Sequence, residues 1–66
     1  MSETIVRHYV CSEVRKQFPD RMDSINVNNL MENLISEFTY NSKITENNIK
    51  ESIAAAIVRF KVTMAG

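Results

Sequence analysis

The chain has one proline, Pro19, and its one glycine, Gly66, comes last. With so little punctuation, helical spacing of apolar residues can run on for long stretches, and the few breaks divide the chain. Pro19 crowds the backbone of Phe18 and disfavours a helical conformation there, so a first helix is expected to stop near Gln17 or Phe18. Turn-forming residues gather at 19–24 and again at 41–43. Those two breaks leave three segments of helical length.

In the first segment, 3–18, Ile5, Val6, Tyr9, Val10, Val14 and Phe18 recur at spacings of one, three and four. They cover an arc broader than a surface helix needs. His8, Ser12, Arg15 and Lys16 fall on the opposite strip, and Glu3 with Arg7 forms a favourable i,i+4 pair. In the second, 27–40, Val27, Leu30, Met31, Leu34, Ile35 and Phe38 lie within about 140° on a helical wheel. Asn29, Glu32, Asn33 and Ser36 take the reverse side, the cleanest amphipathic pattern of the three. In the third, 46–62, the main stripe is Ile49, Ile53, Ala56, Ile57 and Phe60, continued by Met64. A second, weaker stripe of Ala55, Val58 and Val62 lies on another side. Polar and β-branched residues alternate over 61–64, which predicts a frayed last turn.

The second and third segments open with similar text. Ile25-Asn26-Val27-Asn28-Asn29-Leu30 returns nineteen residues later as Ile44-Thr45-Glu46-Asn47-Asn48-Ile49. As a helix-start signal, Asn26 and Thr45 are the expected N-caps, with Ile25 and Ile44 packing on Leu30 and Ile49 as hydrophobic staples. Two copies fall short of a solenoid, which needs at least three. The similarity is read as two caps solving one problem, with a true internal duplication as the alternative. The short Asn41-Ser42-Lys43 link predicts that the second and third segments form an αα-hairpin or a helix-turn-helix.

Size limits what these helices can do alone. A chain of 66 residues buries only about 60% of its unfolded surface, so its core is marginal. Chains of this size often gain stability from disulfides, a metal or a second subunit. Cys11 is the one cysteine, which removes an intramolecular disulfide and points to a reducing compartment. One His and one Cys fall short of the usual zinc donor set. Subunit association remains, and the fold expected is all-α: one small three-helix domain completed by homodimerisation.

Lys plus Arg and Asp plus Glu balance at eight each, a formal charge of zero. No global field draws the chain to nucleic acid or an anionic membrane. The longest apolar run, Ile53 to Val58, is six residues, where a spanning helix needs about 20. The beginning of the chain lacks the basic-then-apolar layout of a signal peptide. The expectation is a cytoplasmic protein with no membrane contact and no cofactor.

Few residues carry chemistry. His8 and Cys11, at i,i+3, could meet as an activated thiolate or as half of a metal site shared across a dimer, but a surface histidine beside a half-buried cysteine is the plainer reading. No third group completes a catalytic set, and the scattered carboxylates assemble no acid–base pair, so no enzyme is expected. Arg7, His8, Arg15 and Lys16 form a basic strip able to touch an anion, an acidic partner or nucleic acid. Asn47, Asn48, Lys50 and Ser52 on the third segment could reach DNA bases, although Glu46 and Glu51 beside them repel phosphate.

The apolar pairs and asparagine-led caps of the second and third segments resemble the small helical biofilm and acid-response regulators of enteric bacteria. The resemblance covers about half of the chain, includes no diagnostic motif and lacks those proteins' terminal helix. The function expected from the residues themselves is a small non-enzymatic regulator or adaptor that acts through apolar helix faces, as a dimer and with a possible protein partner. Val6, Val10, Ala55, Val58 and Val62 are the expected interface, since the first and third segments show more apolar face than a three-helix monomer needs. The alternative is a small DNA-binding transcription regulator using a helix-turn-helix over 27–62.

Overall fold

A computed structural model describes residues 2–65. It contains three helices, α1 (Glu3–Gln17), α2 (Ile25–Tyr40) and α3 (Glu46–Ala65). The expected all-α domain is therefore observed. Its three segments are the expected ones, with different ends.

α1 starts at Ser2, whose hydroxyl accepts from the Ile5 N–H at 3.3 Å. It ends at Phe18, where φ of −133° and ψ of 59° leave the helical region, as the following Pro19 requires. The Phe18 N–H still donates to the Val14 carbonyl at 2.8 Å. The turn beyond is held by the Arg21 N–H on the Phe18 carbonyl and the Ser24 N–H on the Arg21 carbonyl.

The two similar helix starts are not used alike. α2 begins at Ile25 after Ser24, whose carbonyl already accepts from the Asn28 N–H at 3.0 Å. Asn26 therefore lies inside the helix, and Ile25 is 76% exposed rather than stapled on Leu30. At α3 the expected register holds: Glu46 opens the helix directly after Thr45. The Asn48 side chain reaches back to accept from the Thr45 N–H at 3.0 Å, the returning half of a capping box. Ile44 packs against the core, as expected. Between the helices, Asn41 Oδ1 accepts from the Lys43 N–H at 2.9 Å and tightens the turn. α3 then runs on to Ala65, past the end expected at Val62.

Pairwise contacts between side chains give the directions. Arg7 meets Glu32, and Glu3 lines a crevice with Thr39 and Tyr40, so α1 and α2 run antiparallel. Lys50 lies over the Tyr9 ring and Lys61 over the Phe18 ring, so α1 and α3 run parallel. The result is an up-down-up bundle of 31 × 20 × 17 Å, its long dimension matching the ~30 Å length of a 20-residue helix.

α1 is the central element. It packs extensively on both neighbours, while α2 and α3, though consecutive, share the smallest of the three interfaces. A tight αα-hairpin of the second and third segments is thus not what forms. The core is Val6, Val10, Val14 and Phe18 from α1, Val27, Leu34, Ile35 and Phe38 from α2, and Ile49, Ile53 and Ile57 from α3. The four α1 residues follow one another at i,i+4, so a single row of side chains is shared by two partners.

This arrangement corrects the expected interface. Val6 and Val10 are fully buried, so neither offers a surface to a second subunit. Their broad apolar arc belongs to a helix flanked on two sides, which needs a wider stripe than an outer helix does. Met64, expected at the end of the core stripe, is 40% exposed and lies beside Phe18 and Arg21 at the edge of the bundle.

Candidate interaction surface

Among the described residues no buried side chain is polar or charged. The chemistry of the molecule therefore lies on its outer faces, and those faces differ in kind.

The outer face of α3 is apolar. Val58 and Val62 are 60% and 67% exposed, and Ala54 and Ala55 are exposed beside them. Ile49, Ile53 and Ile57 occupy the inner side of the same helix at 2% exposure or less. Spacings of three and four from Ala55 through Val58 to Val62 make a straight, narrow stripe of small side chains. Such a stripe lets another helix approach closely and offers no polar group to hold water. Of the five residues expected at an interface, Ala55, Val58 and Val62 lie here together.

The outer face of α1 is basic and largely answered. The Arg7 guanidinium donates to Glu3 Oε1 at 3.1 Å and to Glu32 Oε1 at 3.4 Å. The hydrogen bond it donates to Glu3, then that to Glu32, raises its pKa above its ordinary value, so it stays charged at any working pH. Lys16 lies 3.6 Å from Glu13. Within the strip expected to contact anions, two of the four residues thus already have carboxylate partners. Arg15 is exposed and has no such partner among the described residues. His8 is exposed and stands edge-on to the Tyr9 ring, 5.7 Å between centres.

A shallow depression is bounded by Arg7, His8, Cys11, Ser12, Arg15 and Lys16. All six lie on α1, so it is the valley between side-chain rows of one helix and not a cavity between elements. Cys11 is a free, half-buried thiol within it. Among the described residues no three His, Cys, Asp or Glu side chains gather where they could hold a metal ion. No described helix is long and apolar enough to cross a membrane.

A third feature escaped the sequence reading. Where α2 and α3 part, an open groove runs between them, with Phe38 and Ile44 on one side and Ala55 and Ala56 on the other. Small α3 side chains leave it unfilled. Glu37 and Arg59 stand at its rim, one from each wall. Both are exposed, and neither enters an ion pair among the described residues. Nothing in a one-dimensional pattern singles them out, since each reads as an ordinary polar-face residue. Tyr40, 84% exposed at the end of α2, is likewise an outward apolar group that its periodicity did not mark.

Compared with known proteins, the chain matches no family model, no curated protein and no solved structure.

Proposed function

We propose that the chain is a small, non-enzymatic regulatory or adaptor protein that works by association through the outer face of α3, with a homodimer as its basic assembly. One observation carries this reading: Val58 and Val62 stand 60% and 67% exposed on a helix whose inner side already supplies the core. The molecule exposes 4630 Å² in all, against about 4300 Å² for a compact monomer of its mass. Unpartnered apolar surface of this sort is a sticky site until another surface covers it. A twofold arrangement covers it economically because the same face meets itself.

A cytoplasmic setting belongs to the same reading, since the free thiol of Cys11 suits a reducing compartment. DNA binding through α2 and α3 is the less favoured alternative. The carboxylate partners of Arg7 and Lys16 and the zero formal charge leave little net attraction for phosphate.

Magnitudes set the scale of the assembly. Covering the exposed parts of two valines on each of two copies gains about 4–8 kcal/mol. Association costs about 4–15 kcal/mol in lost freedom. The α3 stripe alone therefore comes close to balance, and a stable dimer draws on neighbouring surface as well. Sedimentation of the purified chain at micromolar concentration is the test. A mass twice 7.6 kDa is expected; a monomer at every concentration overturns the reading.

A further inference from the structure

The exposed face of α3 has a direction as well as a position. Ala55, Val58 and Val62 follow one another at three and four, the spacing of a seam between two helices. At 100° per residue, Glu51 falls within about 15° of the line they draw, one turn before Ala55. Arg59 and Lys61 flank that line on opposite sides, at about 70° and 90°. All three charged residues are exposed. None has an opposite charge three or four places away along the helix, and none enters an ion pair among the described residues. Lys61 leans toward α1, where its ammonium meets Gln17 Oε1. Arg59 is thus the cation at the seam, and Glu51 the anion.

A face with an anion at one end and a cation eight residues on is complementary to itself when reversed. A foreign partner would have to supply both charges at the same separation; a second copy brings them already placed. We propose that two copies associate with α3 packed antiparallel on α3 of the partner subunit, Ala55 of each opposite Val58 of the other. In that register Glu51 stands level with the partner's Val62. Its carboxylate is then about 4.5 Å along the axis from the level of the partner's Arg59, within reach of two long side chains. One bridge forms at each end of the seam, adding to the apolar contact between them. Parallel packing instead sets the two Glu51 carboxylates against each other. Sliding the antiparallel pair by two turns, so that Val58 meets the partner's Val62, brings the two Arg59 side chains to within about 3 Å of the same level on one side. Neither α1 nor α2 obstructs the pairing, because they cover the opposite side of α3, where Ile49, Ile53 and Ile57 point. This inference rests on the reading of α3 as an association face, and it adds the orientation and the register.

Glu51→Gln tests the orientation by the sign of its effect. It is expected to raise the dimer dissociation constant about threefold or more in the antiparallel pair, whereas a parallel pair would tighten as its facing carboxylates are removed. Cross-linking reads the register. With Cys11→Ser in both chains, an equimolar mixture of a Glu51→Cys chain and a Val62→Cys chain should oxidise mainly to the mixed disulfide. Position 51 faces position 62 of the partner subunit, whereas the two copies of either position stand about 16 Å apart along the axis, beyond the reach of a disulfide. Circular dichroism should show these variants helical, since both side chains are exposed. If wild type dimerises but Glu51→Gln fails to weaken it, or self-linked disulfides dominate, antiparallel docking is overturned while association through α3 stands. A wild-type chain that stays monomeric at high concentration overturns both, and leaves the face to a different protein.

Discussion

The rings of Phe18 and Phe60 meet edge to face, 5.8 Å between centres and 88° between planes. The contact fastens the last turn of α1 to α3 across 42 residues of sequence. Lys61 adds to it, with its ammonium 5.4 Å from the centre of the Phe18 ring and 2.6 Å from Gln17 Oε1. Phe18 itself is only 7% exposed. Phe18→Ala is expected to cost about 3–5 kcal/mol. A domain of this length has about 3–10 kcal/mol to lose, so the variant should be partly or wholly unfolded at room temperature, as circular dichroism would reveal. A urea midpoint unchanged from wild type would show that the interlock is unimportant.

The two sides of α3 should respond differently to the same kind of truncation. Ile53 is fully buried, and Ile53→Ala should lower stability by about 2–5 kcal/mol at any protein concentration. Val58→Ala removes a side chain that the single subunit leaves 60% exposed, so its effect on a dilute monomer should stay within about 0.5 kcal/mol. At concentrations where the dimer forms, the same variant should lose stability, because burial there depends on the second copy. Urea melts at two protein concentrations read both numbers.

Arg7 joins α1 to α2 through Glu32 while also pairing with Glu3 in its own helix. All three side chains are well exposed, and water and salt weaken such a network. Arg7→Ala is expected to change stability only slightly, with any difference shrinking as salt is added. A larger or salt-independent loss would point to packing by the arginine stem.

The start of α3 rests on Asn48, whose side chain accepts from the Thr45 N–H at 3.0 Å. Asn48→Ala should lower stability by about 1 kcal/mol. Faster amide exchange should be confined to the residues around Thr45. Uniform acceleration across all three helices would contradict a local role.

Titration of the chain into mixed duplex DNA at about 50 mM salt is expected to give no gel shift, since specific or not, such binding feeds on uncompensated positive charge. A shift abolished by Arg15→Ala with Lys16→Ala would revive the basic strip as a nucleic-acid contact.

Much of the fold could be read from the residues, because the strongest signals were periodic. Leu34, Ile35 and Phe38 on α2 and Ile49, Ile53 and Ile57 on α3 are buried where their spacing put them. Pro19 ended α1 within a residue of the expected place. The starts were harder. Ser24 and Asn26 are both competent caps, and the choice between them depended on how the chain left the turn at Arg21, which periodicity does not encode.

The candidate site was legible on α3 and misread on α1. A broad apolar arc has two physical causes, a free face or a second neighbour, and Val6 and Val10 show the second. On α3 the two stripes are opposite enough that one subunit covers only the first. The groove lined by Glu37 and Arg59 could not have been found, since it exists only once α2 and α3 are set side by side.

The placement of α1 between its neighbours also bears on how the chain is made. α1 is made before both of the helices that shelter it: Val6, Val10 and Val14 wait for Ile49, Ile53 and Ile57 to emerge. α2, meanwhile, can offer them only half of their eventual shelter. Folding of this domain therefore waits until α3 has been made, and a ribosome stalled before α3 would hold α1 with its apolar row half covered and open to chaperones and proteases.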